Sequence, residues 1–485
     1  MRTFLSVCLL SLLLPCGVAQ AQRASLPNVA GSWTGPLRIP TGATLQLRVN
    51  LQDTGGRRSA TLDVPSQNAQ GIPVDRVEAK QDSVLLTISA IKASFAGRIA
   101  PNGQQWQGIW RQKGARLPLT LQRSAAAPAP TSTPALAATP RNGKANRPQE
   151  PVAPFPYRAE EVQFLNKGAN ARLAGTLTLP PGKGPFPAAV LLTGSGPQDR
   201  DETIYKHRPF LIIADYLSRQ GIAVLRFDDR GAGKSGGDSK NMNAADYATD
   251  AQAALAYLRT RPDINGKQVG LIGHSEGGTA GIRAAGQPQG PAFLVLLGTA
   301  GLPGSEVVVQ QALANARFKT TDPKILAGVE QRQRTMLAIT QRVADAKQAQ
   351  DQMIAVLMPN ISLPPEQMAQ LRAAAAGQAA MMTMPSFRYL INDNPAQTLR
   401  GVHCPVLALG GSKDMQVVSA PNLSAIEKAL KTGGNRDVTV RELPGLNHMF
   451  QTAPTGALDE YGRIEETFSP TALKALGDWL TAHVQ

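Results

Sequence analysis

The chain is predicted to be an α/β protein with a helical cap insertion, preceded by a small all-β domain. Three observations carry this. From about residue 155 to the end, apolar strands alternate with helix-length segments, the pattern of a mostly parallel sheet covered on both faces. Residues 27–123 hold short runs of strand-like polarity punctuated by Gly, Asn and Asp. Residues 302–385 interrupt the later alternation with a long, helix-prone, strand-poor stretch. A chain of 485 residues is expected to form two or three domains.

Along the chain, Arg2 precedes an apolar run from Phe4 to Pro15, which leads to Ala19-Gln20-Ala21. A charged start, an apolar stretch too short to span a bilayer and a small-x-small site predict a secretory signal peptide, residues 1–21, cleaved after Ala21. The mature protein is therefore expected to be periplasmic or secreted. A lipoprotein attached through Cys16 is the alternative, with Pro15 a poor fit before it. Cleavage removes Cys8 and Cys16 and leaves Cys404 alone, which excludes an intramolecular disulfide and a Cys-rich metal site. No later stretch is long and apolar enough for a membrane span.

The all-β domain, 27–123, reads as strands at 44–52, 59–64, 83–90, 93–100, 106–112 and 117–123. Their spacing suggests a small antiparallel barrel or sandwich. Trp33, Trp106 and Trp110 fit core packing better than the lining of a ligand cup. Residues 124–154 are Ala, Pro and Thr with almost no large apolar side chain, so they read as a flexible linker. The α/β domain, 155–485, opens with a hairpin ("VQFLN", "RLAGTLTLP"). Strands follow at 187–196, 221–231, 267–278, 291–301, 404–414 and 438–443, with helices at 208–220 and 244–261. The cap, 302–385, holds seven of the eleven Met residues, including Met353, Met358, Met381, Met382 and Met384. These either line an apolar pocket or pack the cap's own core. The chain is basic, 50 Lys+Arg against 35 Asp+Glu, but has no dense basic run and only 5% aromatics. That argues against nucleic-acid binding.

The chemistry centres on "QVGLIGHSEGG", residues 268–278. A strand meets a helix through Gly273-His274-Ser275-Glu276-Gly277, and Gly-x-Ser-x-Gly at such a junction is a nucleophile elbow. A serine needs a base, and the base an orienting acid. Beyond the signal peptide there are five histidines: 207, 274, 403, 448 and 483. His448 in "ELPGLNHMF" follows the last apolar strand, at the sheet end where ligands sit. His274 adjoins the serine but is expected to point away and pack. Asp414 in "VLALGGSKDMQV" follows another strand at the same end. Ser275, Asp414 and His448 are thus the expected catalytic residues, in the chain order this geometry produces. An oxyanion hole needs two backbone N–H groups; those of Glu276 and, from "LTGSGPQDRDE", Ser195 are the candidates.

The stretches "TGSGPQDRDE", "FDDRGAGKSGG", "GHSEGG", "CPVLALGGSKDMQV" and "LPGLNHMFQ" resemble the α/β-hydrolase superfamily, in its bacterial serine aminopeptidase-like or dienelactone-hydrolase-like branch. The resemblance spans most of 155–485 and is specific for fold more than for substrate. It implies the α/β-hydrolase fold, and Ser275, Asp414 and His448 as a triad. Under it "GAGKSG" (231–236) is a structural turn near the site. A nucleotide loop of the P-loop kind would need Gly where Asp228 stands. Asp199, Asp201 and Glu202, without a nearby histidine in the sequence, read as salt-bridged loop residues and not as metal ligands. The expected function is that of a serine hydrolase cleaving carboxylic esters through an acyl-enzyme, with no cofactor. Its partner is a small-molecule ester or a short peptide. A serine peptidase on short peptides is the enzymatic alternative. A weakly active binding protein on a hydrolase scaffold is the alternative of another class.

Overall fold

The computed structural model of the protein describes residues 29–484, apart from 39–43, 55–56, 65–68, 81, 89–90, 92, 113–114, 124–146 and 359–363. The expected signal peptide and most of the expected linker lie outside the described residues. The chain divides into two compact units: residues up to 137 with 362–373, and the remainder.

In the first unit, residues 31–123 form one antiparallel sheet of nine strands. They are β1 (Gly31–Arg38), β2 (Thr44–Thr54), β3 (Arg57–Val64), β4 (Ala69–Val74), β5 (Arg76–Lys80), β6 (Ser83–Ile88), β7 (Ala93–Ile99), β8 (Gln105–Gln112) and β9 (Ala115–Arg123). The order is β4-β3-β2-β1-β9-β8-β7-β6-β5. Its two edge strands, β4 and β5, are separated in the chain by Asp75 alone. The sheet must therefore curl until its edges approach, which gives the barrel form and hides edges that would otherwise invite pairing. Alternation places Val84, Leu86 and Ile88 of β6 inside. Trp33, Trp106 and Trp110 are core residues. Trp33 stacks on Trp106 at 4.0 Å between ring centroids, and its Nε1–H donates to Val29 O at 2.9 Å.

The second unit is an eight-stranded sheet, β10 (Arg158–Asn166), β11 (Ala171–Leu179), β12 (Phe186–Leu192), β13 (Ala223–Phe227), β14 (Ile264–His274), β15 (Leu294–Leu297), β16 (Val406–Gly411) and β17 (Val438–Leu443), in the order β10-β11-β13-β12-β14-β15-β16-β17. The first two strands form the antiparallel hairpin and β12 onward are parallel. Helices α1 (Pro209–Arg219), α2 (Ala244–Arg259), α3 (Glu276–Ala285), α10 (Ser419–Thr432) and α11 (Pro470–Val484) cover it. Along β12, Ala188, Val190 and Leu192 join one core with α2, α3 and α10, while Ala189 and Leu191 join the other with α1 and α11. Burial on both faces is why these strands read as unbroken apolar runs. Strand order reverses between β12 and β14, since the chain steps from β12 outward to β13 and then back past it. The crevice at the C-terminal ends of β12 and β14 is thus the switch point where open α/β sheets place ligands.

Between β15 and β16 the chain inserts α4 (Gly304–Arg317), α5 (Pro323–Arg342), α6 (Ala346–Leu357), α7 (Pro365–Met382), α8 (Pro385–Asn392) and α9 (Pro395–Leu399). Helical structure therefore continues past residue 385. Asp322 and Asp345 cap α5 and α6 by accepting from Lys324 N–H and Gln348 N–H. The expected linker also ends early. From residue 147 the chain is pinned: Arg147 donates to Ile464 O at 3.1 Å, Gln149 to Phe468 O at 2.6 Å, and Glu150 pairs with Arg208 at 2.7 Å. Composition shows the poverty of apolar groups there, not what three long polar side chains can reach. Among the described residues, no helix is long and apolar enough to cross a membrane.

Candidate active site

Strand β14 ends at His274 and helix α3 begins at Glu276, leaving Ser275 alone on the turn with φ 53° and ψ −119°. A non-glycine residue in that region carries strain of about 1–3 kcal/mol, held by its surroundings. The hold is visible: Ser275 N–H donates to Leu297 O at 2.8 Å. The two glycines of the motif answer to close approach. A β-carbon on Gly277 would lie 2.2 Å from Leu192 O, and one on Gly273 would lie 2.4 Å from Gly277 O.

The loops after β16 and β17 bring Asp414 and His448 together. His448 Nδ1 lies 2.7 Å from Asp414 Oδ2, and both side chains are buried. The other carboxylate oxygen, Oδ1, accepts from Gln416 N–H and Val417 N–H, each at 2.8 Å. Asp414 is thus fixed by its own loop and fixes the ring, leaving Nε2 as the ring nitrogen open to a reacting group. Gly298, at φ 57°, makes room: a β-carbon there would be 3.2 Å from His448 Nδ1. Ser275 and His448 line one cleft of about 590 Å³. Among the described residues no hydrogen bond joins the Ser275 hydroxyl to the ring. In free enzymes such bonds are often long and tighten only with substrate.

The loop after β12 supplies the third side. Ser195 lines the cleft with Ser275. Among the described residues neither the Ser195 nor the Glu276 backbone N–H has a protein acceptor, so both remain available to an oxyanion. Gly194 N–H is committed, donating to Glu202 Oε1 at 2.7 Å. Asp229 Oδ2 accepts from the Thr193 hydroxyl at 2.6 Å and from Gln198 N–H at 2.9 Å. Arg200 grips Asp228 in a bidentate pair at 3.0 and 2.8 Å. The Gly-rich turn "GAGKSG" folds around that same Asp228, which accepts from Lys234 N–H and, through its carbonyl, from the Ser235 hydroxyl. It is occupied by its own aspartate.

A second cleft, of about 540 Å³, shares Ser195 and Ser275 with the first. Its walls are Ala244, Ala300, Val307, Leu390, Pro395 and Val417, and Glu276, Tyr389 and Asp393 also line it. Asp393 pairs with Arg283. Burial pushes the Glu276 carboxyl above the usual carboxylate range, against the hydrogen bond from Ser195. The Met pocket does not form. Met336, Met353 and Met382 pack in the cap's own core, whereas Met381 and Met384 are 51% and 53% exposed, and neither these nor Met358 line either cleft. Helical spacing turned the neighbouring methionines to different sides.

Two further findings concern polar groups. His274 is buried as expected but hydrogen-bonded at both nitrogens, to Glu202 and to the His448 carbonyl. Glu202, read as a salt-bridged loop residue, is its partner across 72 positions of sequence. Asp201 does pair with arginine, at Arg226 and Arg208. Asp199 instead accepts from loop groups of Asp201 and Thr203. The remaining histidines are engaged elsewhere or exposed: His207 with Thr467 and the Tyr461 carbonyl, His483 against Trp479, and His403 at the surface.

Residues 208–454 match the family model described as serine aminopeptidase, S33. An esterase, EstD, of Thermotoga maritima is 41% identical over 105 residues, 22% of this chain and 25% of the relative. Mouse acyl-coenzyme A thioesterase 1 is 29% identical over 158 residues, 31% of this chain and 34% of the relative. The chain thus spans about a quarter to a third of the length of these curated relatives. Among solved structures, an esterase of Pyrococcus furiosus is covered over 94% of its length by 68% of this chain, at 15% identity and a TM-score of 0.41.

Proposed function

Since the chain belongs to the serine aminopeptidase family of α/β-hydrolases, matched over residues 208–454, we propose that it is an exported serine hydrolase that cleaves carboxylic esters through an acyl-enzyme. The observation that carries this reading is the pairing of His448 Nδ1 with Asp414 Oδ2 at 2.7 Å beside a cleft shared with Ser275.

In the proposed reaction, substrate bridges the two clefts that meet at Ser275. His448 Nε2 takes the hydroxyl proton as Ser275 Oγ attacks the ester carbonyl. The negative Asp414 holds the ring in the required tautomer and stabilises the imidazolium that forms. The Ser195 and Glu276 N–H groups receive the developing oxyanion, a contribution of about 10²–10³ in rate for a single donor of this kind. The imidazolium then protonates the departing alcohol. Water, activated by the same histidine, releases the acid and restores the serine.

The apolar wall of the second cleft favours esters with uncharged acyl or alcohol groups. Cleavage of short peptides is a second reading. It draws on the family match and on Glu276 and Asp393 at that cleft, although Asp393 already has Arg283 as partner. A panel of p-nitrophenyl esters and aminoacyl-anilides decides between them. Ester turnover should dominate, and Ser275→Ala should lower kcat by at least about 10⁴-fold with the fold intact. A Ser275→Ala protein with wild-type turnover would overturn the assignment. The export reading draws on residues 1–21 and predicts an N-terminus at Gln22 in protein recovered from the periplasm or medium.

A further inference from the structure

We infer that Glu202 and His274 share one buried proton and act together as a positioning element, binding the oxyanion loop, the nucleophile turn and the base loop to one another. This rests on the reading of Ser275 and His448 as nucleophile and base.

The geometry fixes the proton count. His274 Nε2 lies 3.0 Å from the His448 carbonyl oxygen, which can only accept, so Nε2 carries a proton. His274 Nδ1 lies 2.8 Å from Glu202 Oε1. A neutral ring protonated at Nε2 would turn a lone pair toward an ionised carboxylate at that distance, so one more proton lies between the two atoms. Gly194 N–H donates to the same Oε1 at 2.7 Å. That favours negative charge on Glu202 and places the shared proton on His274. Glu202 and His274 are only 1% and 5% exposed. A neutral total charge with every donor matched is what makes such burial tolerable. Burial alone would push His274 down, but the charge and hydrogen bond of Glu202, helped by the His448 carbonyl and by Asp414, carry it up. The His448 ring stands 4.8 Å away between centroids and Phe450 at 6.4 Å. The charge of Glu202 in turn acts on the buried carboxyl of Asp229.

The attachment points explain the purpose. Gly194 directly precedes Ser195, His274 directly precedes Ser275, and the third contact is the carbonyl of His448 itself. Glu202 holds φ 53° to present its carboxylate here. Neither side chain needs to touch a reacting atom. A loosened tie would let the oxyanion donors or the base drift, and a shift of about 1 Å costs on the order of 10²-fold in rate.

Glu202→Gln tests this, because it keeps size and removes charge. Gln can serve Gly194 and Nδ1–H through its oxygen only if Nε2 gives up its proton to face the His448 carbonyl bare. If Nε2 stays protonated, Nδ1 or Gly194 loses its partner. With p-nitrophenyl acetate, Glu202→Gln should lower kcat about 10- to 100-fold with KM within about threefold. Nitrogen NMR of the full chain labelled at histidine should show His274 with both ring nitrogens protonated in the pH range where a free imidazole is neutral, a signature lost in Glu202→Gln. Wild-type kcat in folded Glu202→Gln, with Ser275→Ala inactive, overturns this inference alone; an active Ser275→Ala overturns the site reading as well. Should Glu202→Gln not fold, the wild-type spectrum decides: a His274 ring that is neutral in this range overturns the shared proton.

Discussion

Asp229 shows how one buried carboxyl shapes the site. It holds the loop after β12 through Thr193 and Gln198, and burial pushes it up to about 7, against the pull of those two hydrogen bonds. In the unfolded chain an aspartate ionises near 4. Between these values the folded protein keeps a proton that the unfolded chain has released. Stability therefore falls as pH rises through that window and levels off above it. Asp229→Asn retains an oxygen for Thr193 and Gln198 without the titration. Its melting temperature relative to wild type should climb from about pH 4 to about pH 7 and then stay level. An offset that is constant across that range in thermal melts would contradict the assignment. Residues like this mark the limit of sequence reading. Ser275, Asp414 and His448 were legible because each closes an apolar strand, and strand ends converge at one edge of the sheet. Glu202, His274 and Asp229 do their work through partners chosen by loop geometry, and no spacing in the sequence encodes those partners.

At the scale of elements, legibility followed periodicity. The parallel strands and helices α1 and α2 stand out because burial on both sheet faces writes long apolar runs. Strand β1, "GSWTGPLR", strand β4, "AQGIPV", and strand β5, "RVEAK", were not read as strands. Gly and Pro in the first two and sparse apolar positions in all three resemble loops, and the barrel supplies the pairing that local propensity does not. The cap was legible as helix, but which side chains turn toward the clefts depends on how its helices pack. Met353 lies in the cap core whereas Val307 of α4 lines the second cleft. Met353→Ala should therefore destabilise the protein by about 2–5 kcal/mol without changing which esters are preferred. Val307→Ala should shift kcat/KM toward longer acyl or bulkier alcohol groups at little cost in stability. Comparing denaturant unfolding with a chain-length series for both variants checks the division of labour. A changed preference in Met353→Ala with none in Val307→Ala would reverse it.

For the whole molecule, Ser195, Ser275, Glu276, Asp414, His448 and the walls of both clefts lie in the second compact unit. A chain beginning near residue 138 should therefore still hydrolyse a small p-nitrophenyl ester, with kcat within about threefold of the full protein, because every residue that lines the clefts is retained. A folded but inactive fragment would mean that the first unit takes part in catalysis. The nine-stranded sheet has one more consequence. Its first strand pairs with its last, Trp33 opposite Arg123, so the chain enters and leaves that sheet through neighbouring strands. A sheet with a single doorway is portable: residues 31–123 can be grafted ahead of another enzyme with both ends of the sheet on one side of the joint.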